Sequence, residues 1–261
     1  MRIAVTNDDG VYSPGLLLLY EAVSSLGETV VIAPLEPRSA KGASLSLEEP
    51  IRLYELEVEG VHVYGISGSP SDAVHVAREL LGKVDVLVSG VNSGDNTSIQ
   101  NILVSGTVGA AAEAALLGIP AVAFSADVEG PRQFLEDDYR RLVVRAARAV
   151  TRLVAEEGLP EGVDLLCVNF PREFRGIVKL APPARLRWRE KLERRVDPRG
   201  RVYYWLYGEP MDPEPGTDVY VVHVEGGIAI TPISLDFRAR GINSVKLERL
   251  ATEVSRAVAK C

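Results

Sequence analysis

At 261 residues the chain is long enough to bury a sizeable apolar core, as one large domain or as a core with an appendage. With 46% hydrophobic and 25% charged residues it sits near the globular average, which excludes the disordered and disulfide-scaffold classes. A formal net charge of −7 opposes binding of long nucleic acids, and no apolar run approaches bilayer length, so neither nucleic acid nor membrane is an expected partner.

The first predicted strand, residues 2–6, ends in Asn7-Asp8-Asp9-Gly10. Two acids arriving this early leave no room for the apolar stretch of a signal peptide, so a cytoplasmic protein is expected. Adjacent carboxylates in a turn repel each other, and hard divalent ions such as Mg²⁺ take oxygen ligands of this kind. A solvated acidic turn is the plain alternative. A helical pattern over 12–26 follows, then a strand at 29–33 whose exit loop offers Arg38, Ser39 and Lys41. Ser39 reads either as a metal ligand or as an ordinary turn residue.

A strand over 61–67 runs into Gly68-Ser69-Pro70-Ser71-Asp72, where Pro70 suits the start of a helix and Asp72 its first turn. Capping explains that segment better than catalysis does, and the helix continues through 72–81. The strand at 84–89 opens into the glycine-rich run Val91-Asn92-Ser93-Gly94-Asp95-Asn96, in which Asn92 and Asn96 offer neutral groups to a metal or to phosphate oxygens. Ser105-Gly106-Thr107 then opens an alanine-rich helix over 108–117. Its free amides and dipole suit an anion, while one hydroxyl alone would serve as a plain cap. Further strands at 121–125 and 165–169 flank a helix over 134–156.

Strands apolar on both faces and separated by amphipathic helices define a parallel, doubly wound α/β sheet. Such sheets bind ligands at the carboxyl ends of their strands, where all of these polar turns fall. A cation beside a phosphate pocket describes phosphoryl chemistry. No G-x-G-x-x-G follows the first strand, and there is no G-x-x-x-x-G-K-[ST] or G-x-S-x-G. The acids are adjacent, whereas the phospho-aspartate phosphatases separate theirs by one residue. His62, His75 and His223 stand singly and read as core or surface residues, and Cys167 and Cys261 form no C-x-x-C pair.

Beyond residue 182 the pattern changes. The charged stretch 185–201 and the alternating run 202–207 predict a hairpin arm, with a Gly/Pro-rich segment at 208–216. Residues 219–224 and 227–232 predict two more strands joined at Glu225-Gly226, and 244–260 a terminal helix. The expected organisation is a Rossmann-like core over 1–182, the arm and added strands over 183–243, and a C-terminal helix over 244–261.

Asn7-Asp8-Asp9-Gly10, the loop from Ala33-Pro34 to Ser39, Gly68 to Asp72, Ser89 to Asn96 and Ser105-Gly106-Thr107-Val108 recur here in the order and approximate spacing of the SurE family, which the chain resembles over nearly its whole length. Ile230-Thr231-Pro232-Ile233 with Asp236 is similar to that family's later strand. The resemblance implies one divalent cation per subunit, Mg²⁺ or Mn²⁺, on Asp8, Asp9, Ser39 and Asn92, with Asn96, Ser105, Gly106 and Thr107 near a substrate phosphate. It implies hydrolysis of nucleoside 5′- and 3′-monophosphates by a metal-activated water that Asp8 or Asp9 orients. It also implies a homodimer or tetramer in which the arm and terminal helix exchange between subunits. Val104, Ala40 and Ala114 stand where Tyr, Gly and Gly are common in the family. A non-catalytic nucleotide or phosphate sensor using the same pocket is the rival expectation, separated from an enzyme by turnover.

Overall fold

Residues 2–6 form β1 (Arg2–Thr6) because Ile3 and Val5 face one side and Ala4 the other, and both sides are covered. The protein is described here from a computed structural model covering residues 1–238 and 244–258. After β1 come α1 (Pro14–Val23), β2 (Glu28–Pro34), the hairpin β3 (Leu53–Val58) and β4 (Val61–Ile66), and α2 (Pro70–Leu81). Then follow β5 (Val86–Ser93), α3 (Ser98–Val104), α4 (Gly106–Leu116), β6 (Ala121–Ala126), α5 (Asp137–Glu157), β7 (Leu165–Phe170) and β8 (Val178–Leu180). The arm is β9 (Trp188–Val196) and β10 (Val202–Pro210), and the chain continues as α6 (Asp218–His223), β11 (Ile228–Ile233) and α7 (Ser244–Val258).

Among the described residues the main sheet runs β3-β4-β2-β1-β5-β6-β7-β11-β8. Its six strands from β4 to β7 are mutually parallel, and β3 and β11 join antiparallel to β4 and β7. One face packs α1 and α5 through Leu16, Leu19, Val143 and Ala147; the other packs α2 and α4 through Val74, Ala77, Ala110 and Ala114. The chain moves outward from β1 to β2 and β4, then returns to the other side of β1 as β5. The crevice outside the carboxyl ends of β1 and β5 is therefore the topological switch point.

The doubly wound reading stands, and so does capping at α2. Ser69 accepts the Asp72 amide while the Asp72 carboxylate accepts the Ser69 amide, a reciprocal cap that leaves Asp72 no free role. The predicted strand at 219–224 is corrected: it is helix α6. Thr217 caps that helix, and Asp218 at its start accepts the amides of Ser98, Ala184 and Val219 at 2.8, 2.9 and 2.7 Å. These contacts override the strand preference of a Val-rich run, so Glu225-Gly226 links a helix to β11 and makes no hairpin. The end of the terminal helix predicted at 244–260, residues 259–260, lies outside the described residues.

Asp218 pins α3, the root of the arm and α6 to one another, and burial holds its carboxyl above the ordinary range despite the amides it accepts. Asp218→Ala leaves three amides without that acceptor, and at roughly 1–3 kcal/mol for each unsatisfied buried group the expected loss is about 3 kcal/mol or more. Urea denaturation of the two proteins measures it.

Candidate metal and phosphate site

Asn7 shapes the acidic turn. Its side chain accepts the Gly10 amide and donates to the Gly10 carbonyl, both at 3.2 Å, while Gly10 takes φ +97°, a conformation glycine tolerates best. Asp8 and Asp9 are thereby presented at the end of β1. Asp8 is only 3% exposed. Burial pushes its pKa up, and the Thr107 hydroxyl, which donates to Asp8 Oδ1 in a short contact, pulls it back down together with the Thr107 and Gly106 amides. Asp9 is pushed up to about 6, by burial first and by the Asp8 charge besides, against the Ser93 amide that donates to its Oδ2 at 3.1 Å. Two neighbouring carboxylates held above their ordinary range are short of positive charge.

A cleft of about 190 Å³ opens beside them, lined by Asp8, Asp9, Ser39, Asn92, Asn96 and Ser105 among others. Six residues singled out from the sequence thus meet at one place, although they come from four separate chain segments. Ser39 arrives from the loop after β2, tethered where the Arg38 amide donates to the Asp8 carbonyl at 2.7 Å and the Arg38 guanidinium to the Ser67 carbonyl at 2.8 Å. Asn92 lies near the end of β5, and its amide nitrogen donates to the Gly94 carbonyl at 2.7 Å, which leaves its carbonyl oxygen free of that bond. Asn96 is locked twice: its backbone amide donates to Asn169 Oδ1 at 2.8 Å and its side-chain amide to Ser125 Oγ at 2.7 Å.

Two residues expected near a phosphate lie against Asp8. Thr107 is fully buried behind Asp8, and Gly106 packs so close that a Cβ there would lie 2.8 Å from the Asp8 Cβ. The first amides of α4 thus meet an anion belonging to the protein itself, Asp8. Ser105 does line the cleft, and its Oγ accepts the Val108 amide at 3.1 Å, so its hydroxyl proton remains available.

Sequence reading passed over Asn101, which lines the cleft from α3, and over Ser125 and Asn169, which hold Asn96. The last two carried a usable signal, since both are polar residues in the carboxyl-terminal half of an otherwise apolar parallel strand, where ligand sites form. His223 is not solitary either: it lies between Asp95 and Asp127, and the three offer ligand atoms close enough together for an ion.

Fold and cleft together define a doubly wound α/β protein in which an acidic pair, an amide-bearing loop and a helix start share one crevice at the switch point. The family description "Survival protein SurE" matches residues 3–190, and the chain belongs to the SurE family. A protein called 5′-nucleotidase SurE from Hyperthermus butylicus is 54% identical over 92% of this chain and 86% of its own. One of the same designation from Pyrobaculum arsenaticum is 47% identical over 99% of this chain and 100% of its own. The crystal structure of the SurE protein from Aquifex aeolicus superposes with a TM-score of 0.77 at 32% identity, covering 94% of this chain and 98% of that one.

Proposed function

We propose that this chain is a metal-dependent phosphomonoesterase that hydrolyses nucleoside 5′-monophosphates, and 3′-monophosphates, to nucleoside and phosphate. The observation that carries the reading is the convergence of Asp8, Asp9, Ser39 and Asn92 on one cleft in a chain 54% identical to a protein called a 5′-nucleotidase. Two carboxylates, a hydroxyl and an amide form an all-oxygen donor set, which suits a hard divalent cation, Mg²⁺ or Mn²⁺, one per subunit. The raised pKa values of both acids express the same need for positive charge. When bound, such a cation supplies charge to phosphoryl oxygens and lowers the pKa of an attacking water.

The protein's own groups do the rest. Asp9, more accessible than Asp8, orients the water; Asp8 is held rigid by Thr107 and the first amides of α4. Asn96 and Ser105 address the phosphate, and Gly106 and Thr107 serve it indirectly by fixing Asp8. Preorganised donors of this kind stabilise developing charge without reorganising during the reaction.

The test is phosphate release from a panel of nucleoside monophosphates with Mg²⁺, with Mn²⁺ and with chelator. Release that requires the cation supports the reading. Heat protection by nucleotide and cation with no phosphate released would replace it with a sensor.

We read the hairpin arm, from Arg185 to Tyr207, and the terminal helix from Ser244 as elements exchanged between subunits of a dimer or tetramer. Trp205 and Leu206 on β10 are 57% and 65% exposed, and an isolated two-stranded hairpin is marginal in water. Among the described residues no helix is long and apolar enough to cross a membrane, and we take the protein to act in the cytoplasm.

A further inference from the structure

Behind the cleft wall, a single imidazole joins two carboxylates from different parts of the fold. His223 closes α6, with its Nε2 3.3 Å from Asp95 Oδ2 and its Nδ1 3.5 Å from Asp127 Oδ2. Asp95 belongs to the turn between β5 and α3 that follows Asn92 and carries Asn96, and its other oxygen accepts the Thr97 amide at 3.2 Å and, in a short contact, the Thr97 hydroxyl. Asp127 follows β6 and pairs with Arg172 at 3.3 Å. Arg187, buried at the root of the arm, adds positive charge near both Asp95 and His223.

Those partners decide what the cluster is for. Its three ligand atoms have the spacing of a metal site, but Arg172, Arg187 and the imidazole already supply the positive charge that an ion would bring. Burial alone would strip the proton from the ring; the Asp127 and Asp95 contacts outweigh burial and raise its pKa to about 9. At neutral pH the ring is therefore a cation bridging two anions.

The turn it grips needs an anchor. Gly90 and Gly94 adopt φ of +128° and +131°, so the backbone that carries Asn92 relies on residues with the most conformational freedom to lose. The Gly94 amide is held by the Ala126 carbonyl at 2.9 Å and Asn96 by Asn169 and Ser125, while the Asp95 side chain ties the turn across to α6. We propose that His223 is a positioning residue for phosphate-ester hydrolysis, fixing through Asp95 the turn that presents Asn92 and Asn96 to the cleft. The inference rests on the nucleotidase reading of that cleft.

The experiment compares the full-length protein with His223→Leu, His223→Gln and Asp127→Asn. It measures kcat and KM for a nucleoside monophosphate, Mn²⁺ affinity by calorimetry without substrate, and Tm. Loss of groups that orient a metal ligand from behind typically costs tenfold or more, so His223→Leu is expected to lower kcat/KM and Mn²⁺ affinity by about tenfold each in folded protein. His223→Gln, which keeps a donor facing Asp95, should recover part of both. Should His223→Leu fail to fold, Asp127→Asn tests the same bridge from its more accessible side, with a smaller loss in the same two quantities. Wild-type kinetics and Mn²⁺ affinity in the folded variants, or a falling Tm as the sole change, would overturn the proposal. If the wild-type protein releases no phosphate, the nucleotidase reading fails, and the Mn²⁺ affinities alone decide the role of His223.

Discussion

Replacing Asp8 and Asp9 together by Asn should reduce phosphate release by about a thousandfold or more while leaving the fold intact and, without metal, more heat-stable at neutral pH. A bound cation supplies several kcal/mol of transition-state stabilisation, and each ~1.4 kcal/mol is a factor of ten in rate, so losing the two carboxylates proposed to hold it puts the deficit in that range. The stability gain follows from the sign of the pKa shifts. Asp9 titrates near 6 in the folded protein against an ordinary 3.8, chiefly through burial, and Asp8 is shifted the same way. A raised folded pKa means stability that is fully present below the unfolded value and lost as pH climbs through about 6. Above that pH the metal-free wild type carries a poorly solvated charge on Asp9 beside Asp8, and the Asn variant does not. Thermal melts without metal at about pH 5 and pH 7.5 should show the variant's advantage only at the higher pH. Added Mn²⁺ should raise the wild-type Tm most at the higher pH and leave the variant unmoved. A variant that still binds Mn²⁺ tightly and turns over would remove these two acids from the chemistry.

Gly106→Ala should cut kcat/KM by about a hundredfold, the order expected when catalytic groups are displaced by ~1 Å. The added methyl would lie 2.8 Å from the Asp8 Cβ and 2.9 Å from its Oδ2. The Cβ cannot swing aside as the tip of a long side chain can, because Asp8 is itself buried and stands two residues past the end of the buried strand β1. Either the first turn of α4 or the acidic turn has to move, and both shape the cleft. Helix propensity favours Ala over Gly by about 1 kcal/mol, which offsets part of the ~1–3 kcal/mol cost of overpacking. Activity should therefore fall much further than Tm, and steady-state kinetics beside a melting curve separate the two.

How much of this was legible in the sequence depended on the range of the contacts involved. β1, β2, β5, β6 and β7 are buried on both faces and announce themselves as short β-branched runs; their polar exits mark the crevice, so Asp8, Asp9, Ser39, Asn92 and Asn96 could be named. β3 escaped notice because it is an edge strand, largely exposed. α3 spans only seven residues and has no long apolar stripe to detect. α6 was masked by Val219, Val221 and Val222, whose strand preference is overridden by amides converging on Asp218. Thr107 carries no local sign that it serves Asp8, 99 positions away, and nothing near His223 announces a partner as distant as Asp95. Pattern reading locates the rim of the crevice, whereas the residues that brace it from behind are set by tertiary packing.

Helix α3 connects the Asn92–Asn96 turn to the Ser105 cap of α4, and it is fastened through its first three residues: Ser98 to Asp218, Ile99 to the Ala184 carbonyl, and Gln100 to the Arg187 and Trp188 amides. Seven residues of helix thus act as a spacer of set length and phase between the two walls. One inserted residue would turn either end through about 100° relative to the other, unseating these fastenings while breaking no strand. Length variation should be confined to loops that bear on neither wall, and this segment should keep its residue count even where its side chains drift.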